Sequence, residues 1–138
     1  MKILILCTGN SCRSQIAQGY LQSFDKDIKV YSAGTVPASK INPTAVKVMA
    51  EDDIDISGNV PKNVDLYLNE KWDYVITVCD EANEACPFFP GKVNNRLHFV
   101  FEDPSNFKGT DTQVINEFRR TRDNIKNTFY KFYSDFLI

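Results

Sequence analysis

A thiol, several small residues and a guanidinium stand together in Cys7-Thr8-Gly9-Asn10-Ser11-Cys12-Arg13-Ser14. The apolar run Ile3-Leu4-Ile5-Leu6 stops just before this stretch, and a helical pattern, Gln15-Ile16-Ala17-Gln18-Gly19-Tyr20-Leu21, follows it. The order reads strand, tight loop, helix. Cys7 then faces the unpaired N–H groups of a helix's first turn, at the positive end of its dipole, with Arg13 nearby. Such surroundings favour the thiolate, the reactive form of cysteine, and they also suit a tetrahedral oxyanion. Cys7 is therefore the expected nucleophile toward a phosphate-like centre. Thr8, Gly9, Asn10, Ser11, Cys12, Arg13 and Ser14 form the expected oxyanion loop. Gly9 and Asn10 tolerate the left-handed angles of a tight turn, and Ser14 can cap the helix and donate to the sulfur. The competing reading, a structural cysteine with Arg13 in a surface ion pair, leaves the agreement among these local choices unexplained.

Two more thiols frame Asp80-Glu81-Ala82-Asn83-Glu84-Ala85. If that segment is helical, Cys79 and Cys86 stand roughly 10 Å apart at 1.5 Å rise per residue. A disulfide needs less than ~7 Å between α-carbons, so pairing requires the segment to unwind or loop outward. Such a pair can act as a relay, one thiol attacking a sulfur adduct and the second resolving the disulfide. Two readings stand beside it: inert packing cysteines, and a zinc site from all four, whose spacings depart from common zinc ribbons. Asp103, in Glu102-Asp103-Pro104, is a candidate proton donor to a leaving oxygen, or else an ordinary Asp-Pro turn. Glu102 is the rival acid, but strand alternation points it the other way. His98, the single histidine, reads as a packing residue, and so does the Cys12 side chain.

The elements that must position these groups alternate. Strands are expected at Lys2–Leu6, Ile28–Tyr31, Asp73–Val78 and Leu97–Phe101, and helices at Ser14–Phe24 and from Pro43, capped by Asn42. A smaller helical turn is expected at Asn63–Leu68. A long terminal helix over Thr110–Phe136 carries Val114, Ile115, Phe118, Ile125, Phe129, Phe132 and Phe136 on one stripe, which reads as core. Arg119, Arg120 and Arg122, among Glu117 and Asp123, read as a solvated face. The predicted fold is α/β: a four-stranded parallel sheet with helices on both faces, in three layers. Ligands of open sheets bind beyond the carboxyl ends of the strands. Cys7, Cys79 and Asp103, far apart in sequence, should share that rim.

The bulk properties exclude several classes. The 138 residues make one expected domain, 1–138, without repeats or linkers. A formal charge of −2 argues against nucleic-acid binding. No apolar run approaches the ~20 residues of a membrane span, and Met1–Leu6 is too short for a secretory leader. The expected compartment is the cytoplasm, where thiols stay reduced, so four cysteines point to catalysis or metal rather than to a disulfide framework. With no long exposed apolar stripe evident, a monomer is expected.

With those residues assembled, the chain resembles the thioredoxin-coupled arsenate reductases of the low-molecular-weight tyrosine phosphatase superfamily over nearly its full length. The resemblance rests on Cys7 through Gln15, Tyr31-Ser32-Ala33-Gly34, Ile54-Asp55-Ile56-Ser57, the Cys79/Cys86 pair with Pro87, and Glu102-Asp103-Pro104. The phosphatases share the loop and the aspartate, and the later cysteine pair separates the reductases from them. The glutaredoxin-linked reductases place their redox cysteines differently. The resemblance implies that Cys7 attacks arsenate held by the loop and Arg13 while Asp103 protonates the leaving oxygen. Cys79 would then expel arsenite by attacking Cys7, and Cys86 would resolve that disulfide and present a Cys79–Cys86 bond to thioredoxin. Each step is a thiolate displacement, which implies no metal and no organic cofactor. Several relatives bind potassium near the loop with a carboxylate where Gln18 stands, Asn10, Ser32 and Asp65 matching the other positions. A neutral amide there implies weak or absent potassium activation.

Two other functions fit part of the pattern. A phosphotyrosine or small-phosphoester phosphatase would use Cys7, Arg13 and Asp103 without Cys79 or Cys86. Its relatives often carry a tyrosine pair after the Asp-Pro dipeptide, where Phe107 and Lys108 stand here. A non-catalytic phosphoprotein-binding or redox-sensing module would keep the loop but would have no use for Asp103.

Overall fold

The computed structural model describes residues 1–84 and 86–138, with the backbone alone at residue 83. Four strands, β1 (Lys2–Cys7), β2 (Lys29–Gly34), β3 (Trp72–Thr77) and β4 (Val93–His98), pair in parallel in the order β2-β1-β3-β4. Parallel neighbours cannot be joined by a tight hairpin, so each connection carries helix. These are α1 (Arg13–Phe24), α2 (Pro43–Ala50) with a 3₁₀ turn at Val64–Tyr67, and α3 (Asp80–Glu84). The long α4 (Asp111–Phe132) follows and ends in a π-type turn at Tyr133–Leu137.

The continuous apolar sequence of β1 reflects its central place. Ile3, Leu4, Ile5 and Leu6 are all 0% exposed although alternate side chains point to opposite faces, so both faces of the sheet centre are covered. On α4, Phe118, Thr121, Ile125, Phe129 and Phe132 are buried at spacings of three or four residues, the stripe of a helix docked along its length. That helix packs on α1 and α2. It also meets the sheet side through edge-on rings, Tyr74 with Phe132 at 5.1 Å and Phe99 with Phe129 at 5.6 Å. The fully buried rings of Phe129 and Phe132 each stabilise the fold by roughly 1.5–3 kcal/mol before entropy is counted. Local chemistry sets the helix starts. Asn42 Oδ1 accepts from the N–H groups of Thr44 and Ala45, with Pro43 opening α2. Thr110 and Gln113 form a reciprocal capping box at α4. Among the described residues, no helix is long and apolar enough to cross a membrane.

Two strands depart from the sequence expectation by more than one residue at a boundary, each for a physical reason. The fourth strand was expected at Leu97–Phe101 and instead runs Val93–His98. It is an edge strand of the sheet, and its exposed Asn94, Asn95 and Arg96 carry no apolar signature. The apolar run after it leaves the ladder, and Phe99 and Phe101 turn onto Phe129 of α4. The second strand continues past Tyr31 through Ser32, Ala33 and Gly34, which pair with Ile5, Leu6 and Cys7. That extension presses β2 against the loop beyond β1. A Cβ on Gly34 would lie 2.4 Å from the Thr8 carbonyl oxygen, so only glycine fits.

The strand order fixes where chemistry can occur. From β1 the chain passes to β2 on one side, and after β2 it crosses to β3 on the other. The loops leaving β1 and β3 therefore diverge and open a crevice at the carboxyl end of β1.

Candidate active site

Cys7 is the last residue of β1, and the loop behind it is turned by one left-handed residue, Asn10 at φ 51°. Gly9 does not take that conformation; among the described residues no glycine has positive φ. The loop's carbonyls face outward. Those of Cys7, Thr8, Gly9 and Ser11 accept from Thr35, Val36, Ala38 and Asn42 at 2.8–3.1 Å. The N–H side is thereby turned inward: the Asn10 N–H donates to Cys7 Sγ at 3.1 Å, and the Ser14 N–H also faces that sulfur.

A buried hydrogen-bond network orients the donors, and two backbone groups decide its sense. The Lys62 N–H can only donate, and it donates to Asn10 Oδ1 at 2.9 Å. The Asn10 amide nitrogen must then face Ser14 Oγ at 2.8 Å and Ser32 Oγ at 3.0 Å, so both hydroxyl oxygens accept. The Ser14 proton is left for Cys7 Sγ, 2.8 Å away. On the other side the Val30 carbonyl can only accept, and it receives Gln18 Nε2 at 3.1 Å. Gln18 Oε1 therefore takes the Ser32 proton at 2.5 Å. Gln15 closes the set, donating to Asn10 and accepting from Asn59 at 3.0 Å. Ser14 is thus a sulfur donor inside α1 and not its cap; the N-cap is Cys12, which makes no side-chain cap hydrogen bond.

The electrostatics of Cys7 depart from the sequence expectation. Burial pushes its thiol above the ordinary value and outweighs the Ser14 hydroxyl and the Ser14 and Asn10 N–H groups, which pull the other way. The nearby Cys79 adds to the upward push. Arg13 is held by the segment after β4: Nη1 donates to the Phe101 carbonyl at 3.0 Å and Nη2 lies 3.7 Å from Asp103 Oδ2. Asp103 Oδ1 accepts from the Ser105 N–H and hydroxyl at 3.0 and 2.6 Å, which aims its other oxygen at Arg13. Glu102 is exposed and pairs with Arg120. The Cys12 thiol is buried and strongly raised, first by burial and then by Asp103, as suits a packing residue.

Of the sequence-predicted residues, Cys7, Asn10, Arg13, Ser14, Asp103 and Cys79 meet on one rim. Cys79, just beyond β3, is 1% exposed, and its sulfur lies 3.5 Å from the Thr8 hydroxyl, one residue from Cys7. Cys86 stands apart, its sulfur contacting Arg96 Nη1 at 3.7 Å and the Pro87 carbonyl at 3.9 Å. The segment between the two thiols, conditionally helical on the sequence, is helical over Asp80–Glu84; Ala85 lies outside the described residues. Sequence reasoning missed Lys62 and Gln15, which act through backbone and amide contacts that leave no pattern along the chain. It also missed the Thr8 hydroxyl beside Cys79, which only the pairing of β1 with β3 brings about.

The family model described as low molecular weight phosphotyrosine protein phosphatase matches residues 2–136. The chain belongs to that family. Within it, the chain is 45% identical over 124 residues to a protein of Halalkalibacterium halodurans named arsenate reductase, covering 89% of this chain and 88% of the relative. A solved arsenate reductase in a phosphate-binding state superimposes with a TM-score of 0.77 at 28% identity, covering 96% of both chains. A thioredoxin-dependent arsenate reductase of Corynebacterium glutamicum gives a TM-score of 0.59 at 28% identity, over 94% of this chain and 61% of that one. In this member of the family, a second buried thiol, Cys79, thus stands beside the loop that follows β1.

Proposed function

We infer that this family member reduces arsenate to arsenite and passes the resulting disulfide to thioredoxin. The observation that carries the reading is the Cys79 sulfur beside Thr8, within one residue of the nucleophile. A phosphatase has no use for it. Cys7 thiolate attacks the arsenic of an arsenate held by the N–H side of the loop and by Arg13. An arsenic–sulfur bond forms, and one oxygen leaves as water with a proton from Asp103. Cys79 attacks Cys7 Sγ; the sulfur–sulfur bond forms, and the electron pair of the sulfur–arsenic bond stays on arsenic, which departs as arsenite. Two thiols are oxidised and arsenic is reduced by two electrons. Cys86 then attacks Cys79, Cys7 leaves as thiolate, and thioredoxin's dithiol reduces the Cys79–Cys86 bond.

We assign Arg13 to grip the oxyanion by exchanging its present partners for it. It now bridges Phe101 and Asp103 and sits at the loop's edge, 12% exposed. All three thiols belong to one chain, and one core runs from Ile3 to Phe132. We therefore read residues 1–138 as a single domain working as a monomer in the cytoplasm, with no cofactor beyond its own sulfurs. Hydrolysis of aryl phosphates by Cys7, Arg13 and Asp103 is the second reading, favoured by the family's own loop.

Cys79→Ser separates the two. Thioredoxin-coupled arsenate turnover is expected to fall to background while aryl phosphate hydrolysis persists. If arsenate turnover survives, the relay is wrong.

A further inference from the structure

The outer strand β4 grips the relay segment at both ends. Arg96 and His98, two residues apart, project from the same face of the strand. His98 Nε2 lies 3.0 Å from Asp80 Oδ1, at the first residue of α3, and its Nδ1 is 2.7 Å from the Thr77 hydroxyl. Arg96 holds the far end twice: Nη1 contacts Cys86 Sγ, and the guanidinium lies over the Phe89 ring at 5.5 Å. Phe89 is 3% exposed, whereas its neighbour Phe88 is 82% exposed, so the ring under Arg96 is the anchored one.

These contacts belong to the dithiol form. The five residues of α3 alone span about 7.5 Å at 1.5 Å each. A disulfide between the flanking cysteines needs α-carbons within ~7 Å, so closing it shortens the segment and draws Cys86 off Arg96. An interaction present only in the dithiol stabilises the reduced state and makes the disulfide more oxidising. We propose that Arg96, with His98 at the other end, is a positioning residue that clamps the Cys79/Cys86 segment in its reduced arrangement. The clamp keeps this pair open until a Cys7–Cys79 disulfide drives it shut, and it makes the closed pair easier for a dithiol reductant to open. The step itself is exchange: Cys86 Sγ bonds to Cys79 Sγ, the Cys7–Cys79 bond breaks, and Cys7 leaves with the electron pair. This proposal rests on the relay reading above.

The test measures a potential. Wild type, Arg96→Gln and Arg96→Lys are equilibrated as full chains with oxidised and reduced dithiothreitol, alkylated, and scored by mass spectrometry for the Cys79–Cys86 bond. Losing one charge-assisted contact and one stacked cation should favour the disulfide about tenfold, a potential about 30 mV more negative. Arg96→Lys, which keeps the charge but not the flat stacking surface, should fall between. Aryl phosphate hydrolysis should be unchanged in both variants, which reports that the fold and the nucleophile loop are intact. Equal potentials in all three proteins overturn the clamp while leaving the relay standing. Failure of wild type to form the Cys79–Cys86 bond at all overturns the relay, and the clamp with it.

Discussion

Removing the Ser14 hydroxyl tests the network around Cys7. In Ser14→Ala, the Asn10 amide keeps Ser32 Oγ at 3.0 Å and Lys62 N–H at 2.9 Å, so the loop has no reason to rearrange. What disappears is the donor 2.8 Å from Cys7 Sγ. A hydrogen bond to a charged group is worth about 1.5–3 kcal/mol, which lowers the thiolate population at neutral pH by about 13- to 160-fold. A more basic sulfur is also a better nucleophile, with a Brønsted coefficient of about 0.4–0.5, which restores nearly half of that loss on a logarithmic scale. The net expectation is a fall of about 4- to 20-fold in Cys7 reactivity at neutral pH. The assay is alkylation of Cys7 by iodoacetamide across pH, read by peptide mass spectrometry. Because burial already raises the Cys7 thiol, wild-type reactivity climbs as pH rises above neutrality, and the variant's curve is displaced further to alkaline pH. At high pH, where both sulfurs are ionised, the gap should close and the curves should cross, because the more basic variant sulfur is then the better nucleophile. Superimposable curves would refute the assignment of the Ser14 proton to the sulfur.

Gly34→Ala should destabilise the protein by about 1–3 kcal/mol in urea unfolding and depress turnover, because the new Cβ strikes the Thr8 carbonyl. Gly58→Ala, with nothing within 4 Å of its would-be Cβ, is the matched control and should be neutral. Glu51 is held down to about 2, chiefly by its hydrogen bond from Arg119 and also by Arg122. A depressed carboxylate stabilises above its ordinary value of about 4.5 and loses that contribution as pH falls toward 2, so Glu51→Gln should flatten the acid limb of the stability curve. Its side chain is 35% exposed, and the effect at neutral pH should be no more than about 1 kcal/mol. Potassium titration of arsenate turnover should give less than a twofold response, since Gln18 donates its amide to Val30 and brings no carboxylate; a several-fold activation would contradict this.

How much of this was legible in advance differs by residue. The loop and β1 were readable because their chemistry is local: an apolar strand buried on both faces, a thiol, turn residues, a helix start. Asn42 and Pro43 declared α2 for the same reason. Strand β4 was not readable, because Asn94, Asn95 and Arg96 line an edge where no apolar face is demanded, while Phe99 and Phe101 imitate a strand yet serve α4. The sequence made Cys7 look readily ionised because donors can be counted along the chain. The burial that outweighs them comes from the strands and helices packed around the loop, and no spacing announces it. His98 looked like packing in the sequence, and its reach to Asp80 depends on where the chain goes after β3.

The strand order also divides the molecule by how firmly it is held. Cys7 ends a strand with a neighbour on each side, whereas the outlying thiol leans on a strand that has one neighbour only. Amide protons of Ile3 to Leu6 should exchange with solvent only when the whole domain opens, and those of the short Asp80–Glu84 turn through a far cheaper local fluctuation. In the proposed relay, the sulfur that travels is thus mounted where travel disturbs little, and the one that stays put is fixed to the part that opens last.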